Sequence, residues 1–447
     1  MTECIRSSFE FWSPLAITSR DLNTVPPDGL TKGISLPNRL ESSRHGAAKE
    51  LMHSSPTFVT VVAVAFIGAA LLPGQSANFE IEGKPVQIHG FASQAFSVSN
   101  ENNYLTMPTS TGSFGFTDFG GNIAIQLTGN FRVGAQFYDR SLGQLGRWHP
   151  ELDWALADYK FKDWLGIRAG KVKTTLGLYN DTQDLEFLQT WAILPQSMYP
   201  LDLRSTTNAH VGADLYGDIS LKRLGTLSYT AYAGTVPDDP YGGFVYGVKD
   251  YGFNVITLGG KAAGGDLRWN TPLPGLLAGG SYMDGSSNGR GTDPLNLPYT
   301  EHTRKYYISQ FYIQYLHGGF EVEGEYRRNY FDQVNLDPLG SSETALDSRS
   351  FYGAASYRIS KKIEVGAYYS RYYADWRDNL ISPDNHIFDK VATLRLDLTN
   401  HWDLKIEGHF MNGYASADSF RGFYPQDNPQ GLKPVTNLLV IRTGVEF

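Results

Sequence analysis

From Val86 to Phe447, apolar and polar side chains alternate with a period of two, and no other feature constrains the fold as tightly. Successive side chains of a strand point to opposite faces, so alternation reads as strand. Between Asn122 and Phe137, Ile123, Ile125, Leu127, Phe131, Val133, Ala135 and Phe137 share one parity, while Asn122, Gln126, Asn130, Arg132 and Gln136 share the other. Phe320, Val322 and Tyr326 oppose Glu321, Glu323, Glu325 and Arg327. Leu394, Leu396 and Leu398 oppose Thr393, Arg395 and Asp397; Trp402, Leu404 and Ile406 oppose Asp403, Lys405, Glu407 and His409. Carboxylates and guanidiniums at every second position need water on their face. A sandwich core could take the apolar face. A lipid-facing band also accounts for more than 350 residues without a helical segment to cover a sheet.

Turns alternate between short and long, which predicts short turns at one rim of a barrel and long loops at the other. The long connections fall near 99–117, 139–151, 174–208, 236–252, 285–303, 332–347, 375–387 and 415–434. Between them lie sixteen candidate strands, an even number with both ends on the short-turn side, as closure of an antiparallel barrel requires. The fold class expected is all-β, a transmembrane antiparallel β-barrel of about 16 strands over residues 78–447. Aromatic pairs near strand ends, Tyr306-Tyr307, Tyr368-Tyr369 and Tyr372-Tyr373, together with Trp402 and Tyr414, predict girdles at the two membrane interfaces.

Composition fits this reading. Hydrophobic residues make up 41% and aromatics 13%, with 27 Tyr and 47 Gly. A mean hydropathy of -0.30 excludes a bundle of apolar membrane helices. The net charge of -8 gives no basic balance for nucleic acid. The one strongly apolar run, Phe58–Leu72, is shorter than a spanning helix needs. Pro73-Gly74 breaks it, and Gly74 and Ser76 have the small-residue spacing of a signal-peptidase site. Residues 52–77 therefore read as the core and cleavage region of a signal peptide, with Arg44 and Lys49 ahead of it. Residues 1–51 form an N-terminal extension too long for a leader, which places the expected translation start downstream of Met1 and before Arg44. Six basic and six acidic residues cancel over positions 1–76, so the charge belongs to the remainder. The single cysteine, Cys4, lies in the discarded part.

The final strand alternates Leu439, Ile441, Thr443, Val445 and Phe447 against Val440, Arg442, Gly444 and Glu446. It resembles the C-terminal targeting strand of Gram-negative outer-membrane proteins, with Phe447, Val445 and Ile441 as the assembly signal. The stretch Gly166-Ile-Arg-Ala-Gly-Lys-Val-Lys-Thr-Thr-Leu-Gly-Leu-Tyr-Asn180 resembles the RxGxxKxPxGLY segment of Gram-negative porins. More narrowly, it is similar to the phosphate-selective porin-like group, as are residues 181–200 and the turn Asn270-Thr-Pro-Leu-Pro-Gly275. It departs from that group at Thr175, where Pro is common, and carries no run of closely spaced Arg and Lys. The resemblance implies an inward-folded constriction loop, a homotrimer, the outer membrane of a Gram-negative bacterium, and as partners its lipid, lipopolysaccharide and the barrel-assembly machinery.

The 174–208 connection is the longest and is partly apolar, which favours a place inside the barrel over one in water. Asp181, Asp184, Glu186 and Asp202 would then face Arg168, Lys171, Lys173 and Arg204 across a constriction. Opposed charges there would set up a transverse field that sorts polar solutes. The lumen face is expected to carry Arg132, Glu321, Glu323, Glu325, Arg327, Arg395, Asp397, Glu407 and Arg442. Acids outnumber bases along it, which argues for cation preference; the basic residues of the constriction argue the other way. No GxSxG, HExxH, P-loop or GxGxxG motif occurs in a strand-to-helix context. No cofactor, metal or catalytic residue is expected, and His409 beside Glu407 reads as a lumen residue. The function expected is a porin for passive diffusion of small hydrophilic solutes and ions. The alternatives are a substrate-specific channel for an anion or organic acid, and a barrel enzyme or an adhesion or scaffold barrel.

Overall fold

A computed structural model describes residues 77–237, 239–415 and 421–447. The expected signal peptide core, the 1–51 extension and Cys4 lie outside the described residues. A short strand β1 (Ala77–Ile81) precedes sixteen long ones. These are β2 (Lys84–Ser99), β3 (Ser113–Thr128), β4 (Phe131–Leu142), β5 (Glu151–Lys162), β6 (Leu165–Lys173), β7 (Ala209–Ser220), β8 (Thr226–Val236) and β9 (Asn254–Asn270). They continue as β10 (Leu276–Thr292), β11 (Pro298–His317), β12 (Phe320–Asp337), β13 (Gly340–Ser360), β14 (Ile363–Tyr373), β15 (His386–Thr399), β16 (Trp402–Asn412) and β17 (Val435–Glu446). Each pairs antiparallel with its sequence neighbours, and β17 closes on β2 in a register running from Leu438↔Ser99 to Glu446↔Phe91. The chain is a closed sixteen-stranded antiparallel β-barrel with one added strand.

That added strand folds back on β2 through Glu82-Gly83, from Ala77↔Ile88 to Ile81↔Lys84. It occupies the side of β2 that β17 leaves free, because Phe447 exchanges backbone hydrogen bonds with Gly90 at 2.9 and 3.1 Å and ends there. The Phe447 ring covers Gly90, where a Cβ would collide with it.

The distribution of side chains is the reverse of a water-soluble protein's. Phe311 is 61% exposed and Phe137 60%, and Ile167, Leu215, Leu267, Val322, Val365 and Val445 share their outward face. Charged residues such as Glu323, Lys405, Glu407 and Arg442 are buried on the inward face. An apolar belt this continuous suits lipid. Outward aromatics gather near the short-turn rim, as Tyr159, Phe161, Trp164, Trp269, Phe320, Tyr357 and Trp402 do. The tyrosine pairs correct one expectation. Neighbours in a strand face opposite ways, so Tyr307 and Tyr369 lie outside while Tyr306, Tyr368 and Tyr372 turn into the lumen.

Two expected long loops are strand instead. β9 to β13 have 17, 17, 20, 18 and 21 residues, roughly twice the 9–11 that cross a bilayer. Only residues 293–297 and 338–339 connect β10 to β11 and β12 to β13. The predicted loops at 285–303 and 332–347 are mostly paired ladder projecting beyond the apolar belt. The turn at 271–275 is tight. Its Gly275 has φ +83°, and a Cβ there would strike the Leu316 carbonyl.

Candidate functional site

The connection from β6 to β7, residues 174–208, runs into the barrel and touches the wall on several sides. Its Trp191, Leu194, Met198 and Tyr199 pack on Tyr352, Ala354, Tyr368 and Val391. Ala192 and Ile193 join Ala95, Phe116, Met411 and Val440. Leu185 and Phe187 meet Phe91 and Tyr138, and Leu176 meets Tyr232, Ala262, Met283 and Ile308. These apolar residues are why the segment leaves water for the lumen.

A lumen wall that is polar in sequence then supplies partners for the loop backbone, whose groups need them once buried. Glu407 accepts the N–H groups of Ala192 and Ile193, both at 3.0 Å. It is braced by His409 at 3.1 Å, whose other ring nitrogen meets Asp389 at 2.8 Å. Arg442 donates to the Ala192 carbonyl at 2.8 Å and pairs with Asp118 at 2.7 Å. Arg395 donates to the carbonyls of Phe187 and Gln189 at 2.7 and 2.6 Å. Lys405 Nζ lies 2.5 Å from the Glu186 carboxylate and 2.6 Å from its carbonyl. On the opposite wall, Glu325 accepts from Tyr199 Oη at 2.6 Å and Leu178 N at 3.2 Å, and Glu323 from Tyr179 Oη.

The root of the loop is a lattice of charge. Lys173 Nζ lies 2.6 Å from Asp153 and 2.7 Å from Asp184. Arg204 Nη2 lies 2.8 Å from Asp153 and 3.8 Å from Asp184, with its guanidinium 4.5 Å above the Tyr138 ring. Gln136 bridges the two carboxylates. One step toward the short-turn rim, Asp158 takes Arg132 at 2.7 Å, Tyr216 Oη at 2.6 Å and Arg168 at 3.7 Å. Burial lowers the Arg204 guanidinium's pKa, but Asp153 and Tyr138 raise it further, and the net shift is upward.

The eight residues expected at the constriction therefore separate. Lys173, Asp184 and Arg204 meet directly, and Arg168 sits in the neighbouring Arg132–Asp158 group. Their charges touch rather than face each other across a gap, which corrects the picture of an open transverse field. Lys171 shares the outward register of Ile167 and Ala169, and its Nζ donates to the Leu152 carbonyl at 2.6 Å. Asp181 is half-buried. Glu186 belongs to the far anchor with Lys405. Asp202 holds the 421–434 stretch, accepting from Gly422 N at 2.7 Å and Tyr424 Oη at 2.8 Å. The nine residues expected on the lumen face lie on the inward register, where most hold the loop.

Sequence reasoning overlooks Asp153, the centre of the root. It is the extra residue of a β-bulge, where Gln136↔Trp154 is followed by Phe137↔Leu152, and a bulge breaks the parity that would have marked it. Lys405 is visible as a polar-parity residue but not as an anchor. Gly285-Ser286-Ser287-Asn288-Gly289 matches GxSxG in letters only, because it spans a register shift inside β10 and not a strand-to-helix turn. Among the described residues no group of His, Cys, Asp and Glu could hold a metal ion.

No known family profile matches the chain, and no curated relative does. Solved structures do. The outer-membrane expressed OmpT of Vibrio cholerae superposes with a TM-score of 0.51 at 10% identity, covering 83% of this chain and 100% of that one. A further structure of that protein, folded in vitro, is described as its trimer form. The anion-selective porin from Comamonas acidovorans gives 0.50 at 11% identity, covering 81% and 100%. Salmonella typhi OmpF, in complex with daunomycin, gives 0.50 at 10%, covering 83% and 100%. The fold is shared with outer-membrane porins.

Proposed function

We propose that the protein is a porin of a Gram-negative outer membrane, a water-filled channel through which small hydrophilic solutes and ions pass by diffusion, without catalysis. The observation that carries this reading is the inside-out barrel: an apolar belt outside, and inside it buried charge arranged around one inserted loop. The chain would reach the membrane after cleavage of the signal peptide, insert through the assembly machinery with Phe447, Val445 and Ile441 as its signal, and sit among lipid and lipopolysaccharide. A homotrimer is part of the proposal, supported by the trimer form described for one protein of the same fold.

A second reading, a substrate-specific channel, is favoured by a specific contact. The loop reaches Glu325 on one wall and Glu407 on another, and the root charges touch. That geometry supports a narrow route over a wide one. Planar-bilayer recording of protein purified from outer membranes tests both readings. Ohmic conductance in KCl is expected. Absence of conductance overturns the channel, and block by a low concentration of one solute selects the specific form.

A further inference from the structure

Between the inserted loop and the long-loop rim lies a cavity of about 220 Å³. Apolar side chains make much of its wall, among them Met283, Phe331, Leu346, Tyr306 and Tyr372. Arg421 reaches it from the stretch before β17, 7% exposed, with its guanidinium 4.4 Å above the Tyr372 ring. Its Nε and Nη1 have no hydrogen-bond partner. Arg327 is 4% exposed on the inward face of β12, two residues from Asn329, which lines the cavity. Its Nε donates to Gln310 at 2.8 Å, while its Nη2 is unpartnered. The two guanidiniums lie within electrostatic reach of each other and of the Tyr306 hydroxyl.

Two buried cations with no ion pair among the described residues are an expensive arrangement. Among the described residues, no carboxylate forms an ion pair with either guanidinium. Glu325 is the acid nearest Arg327 along the strand, and it is occupied by Tyr199, Tyr352 and the Leu178 amide. Asp202 is within electrostatic reach of Arg421, but its Oδ2 takes Gly422 N and Tyr424 Oη.

We infer that this cavity binds a small organic monoanion, a carboxylate on an aromatic or comparably compact apolar body. Carboxylate oxygens match the planar fork of a guanidinium, and the aromatic and aliphatic walls take the body. The volume lies below the roughly 300–1,000 Å³ of drug-sized clefts, which limits the body to about one ring. Asp202, Asp239 and Glu301 also line the cavity. Their negative charge selects against dianions and phosphates, so the site favours a single charge. As a station on the permeation route this deepens the channel reading and rests on it; as a binding site it stands by itself.

Benzoate is the probe, with benzyl alcohol as its uncharged counterpart. Calorimetric titration of protein purified from outer membranes should give saturable benzoate binding. Benzyl alcohol should bind about tenfold more weakly or worse, the scale of one charge-assisted hydrogen bond. Arg421→Gln should lose about tenfold in benzoate affinity, with its folding checked by circular dichroism. Equal affinity for the two ligands overturns the site, whatever the variant does. So does undiminished benzoate binding by a folded Arg421→Gln. Benzoate binding without KCl conductance supports the site and overturns the channel; conductance without binding does the reverse.

Discussion

The inserted loop is held at its root and its tip by different physics. At the root, Lys173, Arg204, Asp153 and Asp184 form a lattice of ion pairs between 2.6 and 3.8 Å. At the tip, Trp191 and Ile193 are buried among wall side chains, and Glu407 holds the two tip amides. The root has two cations facing two carboxylates, so each charge there keeps a partner if one is lost. At the tip one carboxylate serves both amides, and the wall's other hydrogen bond to that backbone is Arg442 on the Ala192 carbonyl. The two ends should therefore fail differently.

The largest effect is expected at the tip. Glu407→Leu leaves two buried amides without their acceptor and the buried His409 with Asp389 alone, a loss of about 3–5 kcal/mol by the scale of broken buried pairs. Thermal unfolding of the variant should shift to lower temperature, and single-channel conductance should rise as the tip leaves the wall. Unchanged conductance in a folded Glu407→Leu protein would show that the tip does not limit the route.

At the root the expected loss is smaller. Asp184→Asn keeps the shape and leaves Asp153 to serve both Lys173 and Arg204, at about 1–3 kcal/mol. Removing one negative charge beside two positive ones should move the reversal potential under a salt gradient toward anion preference. A shift toward cations would place this lattice off the route of the ions.

How much of this could be read from sequence follows from the same contrast. Tip burial was legible because Leu185, Phe187, Trp191 and Ile193 make a long connection too apolar for water. The sixteen strands were legible because lipid on one side and charge on the other enforce strict alternation. Beyond the bilayer that pressure vanishes. Gly285–Arg290 has no apolar side chain and Asp332–Asp337 has only Val334 and Leu336, so these stretches look like loops even though they belong to the hydrogen-bonded ladder. The root was legible only in part. Lys173 ends β6 and Asp184 and Arg204 are charged loop residues, but that they meet depends on Asp153, and its inward position comes from a bulge. Lys171 is the converse case: a charge near the constriction in sequence lies on the outward register.

The smallest effect is a separation of two loop contacts by pH. Burial pushes the Glu186 carboxyl up, but Lys405 and Arg442 pull harder, and it titrates below the usual range. Its contribution is present above the unfolded carboxylate pKa of about 4.3 and is lost as pH falls through the lower folded value. Asp202 has the opposite sign. Burial holds its carboxyl above the usual range despite the pull of Arg421 and the bonds from Tyr424 and Gly422. Its contribution is complete below the unfolded pKa of about 3.9 and is lost as pH rises through the higher folded value. Acidification from neutrality should therefore first tighten the 421–428 segment on Asp202 and only later free the 186–193 segment from Lys405. Hydrogen exchange of peptides covering the two segments, corrected for intrinsic rates, reads both. If the 186–193 segment loses protection at a higher pH than the 421–428 segment gains it, the Lys405 pair is not what fixes that end of the loop.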